Sequence, residues 1–185
     1  MKIDIVLKDK KFLPIRSTKS AAAFDLIADL EEPITIGNRK TELISTGIKI
    51  KIPEGFAGLI CPRSGNALKK DIIIPNSPGI IDPDYTGEVK VILKNIYKGL
   101  HFDKQPIINP FDRIAQLLIV PTIFYTPILI DKVVRVFLEN PEARAGIWSE
   151  KLAKFIKEEY DITFNIVTTI ENTDRGEKGF GSTGE

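Results

Sequence analysis

Gly79-Ile80-Ile81-Asp82-Pro83-Asp84-Tyr85-Thr86-Gly87-Glu88-Val89 sets two apolar runs on either side of a turn. Pro83 presets the backbone for a tight reversal, and Asp and Gly are the residues that reversals favour. The stretch predicts a hairpin that closes Ile80 against Val91. The same grammar extends in both directions from it. Short apolar runs separated by Gly, Pro, Asn and Asp predict strands at Ile3–Leu7, Thr41–Ile44, Gly47–Ile52, Phe56–Cys61, Ile72–Pro75, Gly87–Asn95 and Ile114–Val120. Pro53-Glu54-Gly55 supplies another reversal. That is how an all-β sandwich or barrel reads.

The grammar changes after Pro127. Asn140-Pro141-Glu142 resembles a helix start, and Trp148, Leu152, Phe155 and Ile156 follow at helical spacing, which predicts one amphipathic helix within residues 127–161. Its apolar stripe reads as a packing face. Phe164 to Ile170 returns to a strand-like run. Residues 1–174 therefore read as one β domain with a helical insert, followed by an arm over residues 175–185.

Composition narrows the classes of function. A chain of 185 residues, 43% hydrophobic and 28% charged, is long enough for one domain with a real core. Lys and Arg number 26 against 25 Asp and Glu, for a formal charge of +1, which argues against DNA or RNA as a partner. Small phosphates stay possible. Cys61 is the single cysteine and His101 the single histidine, so neither an internal disulfide nor a Cys/His zinc site is expected. The N-terminus has charges within its apolar stretch, and no run is long enough to span a bilayer. The expectation is a soluble cytoplasmic protein without a membrane partner.

Chemistry concentrates in polar clusters between the strands. The arm runs Arg175-Gly176-Glu177-Lys178-Gly179-Phe180-Gly181-Ser182-Thr183-Gly184. Its glycines expose backbone N–H groups that approach an anion closely, and Phe180 gains little in water unless it covers a flat partner such as a nucleobase. Arg63-Ser64-Gly65 offers a fixed charge, a hydroxyl and an unhindered N–H at one turn, a set suited to phosphate oxygens and equally to a turn with an outward arginine. Gln116 interrupts an apolar strand, where a buried amide wants a partner such as a phosphate oxygen or an edge facing water. Asp82 is a candidate general base and also a good turn former.

Five of these clusters, in order, resemble the five motifs of the trimeric deoxyuridine triphosphatase (dUTPase) family. They are Ala21-Ala22-Ala23-Phe24-Asp25-Leu26, Pro62-Arg63-Ser64-Gly65-Asn66-Ala67-Leu68, the Gly79–Val89 stretch, Asp112-Arg113-Ile114-Ala115-Gln116-Leu117, and the arm. The resemblance implies a distorted jelly-roll barrel in a homotrimer with shared sites. It implies Mg2+-assisted hydrolysis of dUTP to dUMP and pyrophosphate, with Asp82 activating the water that attacks the α-phosphorus. Asn76 would bond the uracil edge, with the backbone of Ile80, Ile81 and Lys90 reading the rest. Tyr85 would lie under the deoxyribose and reject a 2′-hydroxyl. Arg63, Ser64, Gly65 and Gln116 would hold phosphates, and Arg113 would support the site by pairing with Asp25. Arg175 would meet the γ-phosphate, Phe180 would cover the uracil, and Gly181, Ser182 and Thr183 would line the phosphates. Magnesium would be held through the triphosphate and water, with Asp25 at most in the outer shell.

The chain departs from the family pattern at Ala23 and Phe24, at Lys178 in the arm, and in a longer connection between Pro121 and Arg175. The dCTP deaminases share the fold but keep a proton-shuttling glutamate ten residues after the hairpin aspartate. Ile92 stands there in this chain and transfers no proton.

Overall fold

Ile3 and Ile5 are fully buried while Lys2 and Asp4 beside them face water, the period-two alternation of a strand covered on one face. That strand is β1, Lys2–Leu7. The computed structural model describes residues 1–97, 105–122 and 162–179. Within them follow a single turn of 3-10 helix at Lys10–Phe12, β2 (Phe24–Ile27), β3 (Ile34–Thr35), β4 (Thr41–Lys51) and β5 (Phe56–Cys61). Next come α1 (Ser64–Lys70), β6 (Ile72–Ile73), β7 (Gly79–Ile81), β8 (Glu88–Asn95), β9 (Ile107–Ile108), β10 (Arg113–Pro121) and β11 (Thr163–Ile166).

The strands form a five-stranded sheet in the order β11-β1-β4-β8-β6, a four-stranded sheet in the order β2-β10-β5-β7, and the small pair β3-β9. Pairing is antiparallel throughout except between β1 and β11. Inward residues of both large sheets, chiefly Ile with Leu, Val and Phe, share one apolar core. β-Branched side chains suit a pleated, half-buried surface, so the composition and the architecture agree. The fold is all-β of jelly-roll type, with little helix.

Several predicted elements change on folding. Thr41–Ile44 and Gly47–Ile52 merge into the single β4, because a register shift between Ser45 and Lys49 against β8 absorbs the break. The Asp82–Gly87 turn does not cap a hydrogen-bonded hairpin. β7 pairs with β5 and β8 pairs with β4 and β6, so the turn carries the chain from one sheet to the other. Turn chemistry fixes where a chain reverses and leaves open whether its two arms pair with each other. β2, β3, β9 and α1 were not predicted; β3 and β9 are two residues each, too short to show a period. The predicted helix within residues 127–161 lies outside the described residues, as do His101, Trp148, Phe180, Gly181, Ser182 and Thr183. No described helix is long and apolar enough to cross a membrane.

Candidate active site

The sheet-to-sheet crossing opens a cavity of about 150 Å3 between the end of β7 and the start of β8. Asn76, Ile80, Ile81, Tyr85, Lys90 and Arg175 all line it, so the residues expected around a nucleoside are brought together. Ile60, Ile74, Val89, Val91 and Ile92 supply apolar walls. Asn76 is exposed and its amide bonds to no other described residue, which leaves a donor and an acceptor free beside an apolar slot. Among the described residues no carboxylate lines the cavity, and Ile92 is part of its wall.

Tyr85 is held at both its hydroxyl and its ring. Its hydroxyl donates to the Glu88 carbonyl at 2.8 Å, and its ring lies so close to Gly87 that a Cβ there would meet the phenol oxygen at 2.6 Å. Burial, then the carboxylates of Glu177 and Glu88, raise the phenol's pKa against the opposing charge of Arg175, so at neutral pH the O–H stays available to donate. A ring locked this way presents a rigid apolar face to the cavity.

Asp82 follows β7 directly, with 43% of its side chain exposed. Its carboxylate takes a charged hydrogen bond from Arg175 Nη1, which also reaches Asp84 Oδ1 at 3.3 Å. Arg175 stands over the Tyr85 ring at 5.8 Å. The first residues of the arm thus lie on this chain's own crossing turn. Thr86 N donates to the Gly176 carbonyl at 3.0 Å, Tyr85 forms a parallel bridge with Gly176, and Lys49 pairs with Glu177.

A second group surrounds Asp25 on β2, whose side chain is 4% exposed. Arg63 Nε donates to Oδ1 at 3.0 Å; Ser17 Oγ at 2.8 Å and Arg113 Nη1 at 3.3 Å donate to Oδ2. The Asp25–Arg113 pair is present as expected. Arg63 also precedes α1, where Ser64 and Gly65 form the first residues, and Gln116 on β10 sits between Asp25 and Cys61 in register. Arg63, Ser64, Gly65 and Gln116 do not line this cavity of the same chain. Both Asp25 oxygens accept from cationic or hydroxyl donors of the chain. Among the described residues no cluster of His, Cys, Asp and Glu suits a metal.

Burial alone would raise the Asp25 carboxyl, but the Ser17 hydrogen bond and the charges of Arg63 and Arg113 outweigh it and hold the pKa below the ordinary 3.8. A depressed folded pKa contributes stability that is complete above the unfolded value and is lost as pH falls through the folded one. Asp25→Asn should therefore lower stability by about 2 kcal/mol at neutral pH, with the gap to wild type narrowing as pH drops below about 4. Denaturant unfolding across pH 7 to 3 checks this; a gap that is constant with pH would show that the charge is not what matters.

Sequence reasoning missed the apolar walls and Thr173, whose hydroxyl bonds the Asp84 carbonyl. The walls had a usable signal, since Val89 and Val91 alternate along β8. Thr173 had none.

A family model described as dUTPase matches residues 9–136. A deoxyuridine 5'-triphosphate nucleotidohydrolase of Burkholderia cenocepacia is 34% identical over 188 residues, spanning 100% of this chain and 99% of that one. Its namesake from Hydrogenobaculum sp. is 44% identical over 117 residues, 63% of this chain and 77% of its own. Among solved structures, the dUTPase of Streptococcus mutans aligns at a TM-score of 0.57 and 27% identity, covering 66% of this chain and 97% of its own. The dUTPase of phage phi11 of S. aureus, described with a structural Mg(II) ion, aligns at 0.56 and 25% identity, covering 65% of this chain and 90% of its own. With the cavity, the crossing-turn aspartate and these matches in agreement, the chain belongs to the dUTPase family.

Proposed function

We infer that this chain hydrolyses dUTP to dUMP and pyrophosphate. The observation that carries the reading is the single cavity that gathers Asn76, Ile80, Ile81, Tyr85 and Lys90 beneath Arg175, with Asp82 beside it. The Asn76 amide matches the adjacent N–H and carbonyl of uracil, and the backbone of Ile80, Ile81 and Lys90 reads the rest of the base. A close apolar slot leaves no room for the methyl of thymine. The pinned Tyr85 ring supports the deoxyribose and collides with a 2′-hydroxyl, discrimination by repulsion.

Asp82 orients a water in line with the leaving pyrophosphate and takes its proton as the oxygen bonds to the α-phosphorus. The α–β bridging oxygen leaves with the pyrophosphate. Arg175 neutralises the γ-phosphate, Phe180 covers the uracil, and Gly181, Ser182 and Thr183 line the phosphates, together excluding bulk water. Arg63, Ser64, Gly65 and Gln116 stand apart from the cavity of their own chain, and this supports a homotrimer in which a neighbour supplies them to the triphosphate. In such an assembly an exchanged arm makes the same contacts on a neighbour's crossing turn. Magnesium would be held through the triphosphate and water rather than by a cluster of the described residues, and would offset the charge of the phosphates. The reaction keeps dUTP low and yields a thymidylate precursor, a cytoplasmic task.

Pyrophosphate and ammonia release from dUTP, dCTP, dTTP and UTP tests this. With Mg2+, dUTP alone yields pyrophosphate, in equal amount to dUMP, and a chelator abolishes it. Comparable release from dTTP, or ammonia from dCTP, would overturn the reading.

A further inference from the structure

Two carboxylates share one guanidinium at the crossing turn, and their situations differ. Neither lines the cavity itself: Asp82, directly after Ile81 of its wall, is the base of the proposed reaction, whereas Asp84 lies two residues further along the turn. Asp84 nevertheless holds the arm twice. Its carboxylate stands 3.3 Å from Arg175 Nη1, and its backbone carbonyl accepts the Thr173 hydroxyl. The same Thr173 oxygen accepts the Gly176 N–H at 3.0 Å, closing a turn in which Gly176 takes φ +57°, a conformation that other residues adopt at a cost. Thr86 N then bonds the Gly176 carbonyl. Residues 84–86 and 173–176 are thereby joined with Arg175 pointed at the cavity.

We propose that Asp84 is a positioning residue for Arg175: it keeps the arm in register on the crossing turn independently of Asp82. An arginine held by Asp82 alone would lose its anchor when that carboxylate turned to the attacking water. With Asp84 as a second anchor outside the reacting path, the arm stays over the cavity while Asp82 is committed to chemistry. Registering the arm before substrate arrives raises the fraction of enzyme competent to bind, which lowers the apparent dissociation constant of the nucleotide in proportion. The neighbouring charges fit this role. Glu177 is occupied by Lys49, so Asp82 and Asp84 are the acidic partners of Arg175 among the described residues.

The docking half is tested without nucleotide, by trypsin cleavage after Arg175 in the full chain, followed by mass. Cleavage through a rapidly opening segment tracks the open population. Asp84→Asn should be cut about tenfold faster than wild type, and Asp84→Glu should return close to the wild-type rate; equal rates in all three overturn the proposal. The kinetic half rests on the dUTP reading. KM for dUTP should rise about tenfold in Asp84→Asn with kcat within about twofold, and a fall in kcat at unchanged KM contradicts a positioning role. A chain inactive on dUTP sinks the functional reading, whereas the proteolysis result then decides the docking alone.

Discussion

Asp82→Asn lowers kcat for dUTP about a thousandfold while KM changes far less. The amide keeps the shape of the carboxylate and its place at the end of β7 but cannot take a proton. Positioned general bases contribute about 10²- to 10⁴-fold, and the described residues offer no substitute, because none of their carboxylates lines the cavity and Asp84 is bonded to the arm. Binding survives because the apolar walls, the Asn76 amide and the locked Tyr85 ring are untouched. Arg175 keeps its contact to Asp84. Steady-state kinetics of the purified variant gives the answer, and a kcat within tenfold of wild type would remove Asp82 from the role of base.

Ending the chain after Asp174 is expected to lower kcat/KM by about two to three orders of magnitude without unfolding the protein. On the proposed reading, removing the arm takes away the γ-phosphate cation, the cover over the base and the exclusion of water. Misplacing a reactant by about 1 Å alone costs on the order of 10²-fold. Stability is spared because the lost contacts are largely exposed. Lys49 and Glu177 are 41% and 63% exposed, and ion pairs of that kind contribute little. The core receives none of its fully buried side chains from residues 175–179. Thermal unfolding should shift by no more than about 2 °C. A truncated chain that retains kcat/KM within threefold of wild type would show that the arm is not a lid.

Strands with a period of two were legible because burial on one face writes directly into the sequence. β1, β5, β8 and β10 appear close to their predicted bounds. The pairing was not legible. The Asp82–Gly87 turn announces a reversal, yet the partners of β7 and β8 are decided by sheets assembled from distant parts of the chain. The helix α1 hid behind Arg63-Ser64-Gly65, whose Ser and Gly read as a turn; with no buried residue it carries no apolar period. At the site, Asn76, Tyr85 and the β7–β8 residues were expected only through the resemblance to the family's motifs, and the structure gathers them in one cavity. The double engagement of Asp25 by Arg63 and Arg113 was half visible. Arg113 was expected there, whereas Arg63, expected on phosphate, rests on the same buried carboxylate.

Hydrolysis of dUTP in water enriched with oxygen-18, with mass analysis of both products after a single turnover, addresses the central claim. Attack on the α-phosphorus by water activated at Asp82 places the label in dUMP and leaves pyrophosphate unlabelled. Label in pyrophosphate would mean that water attacks the β-phosphorus, and the geometry assigned to Asp82 would be wrong.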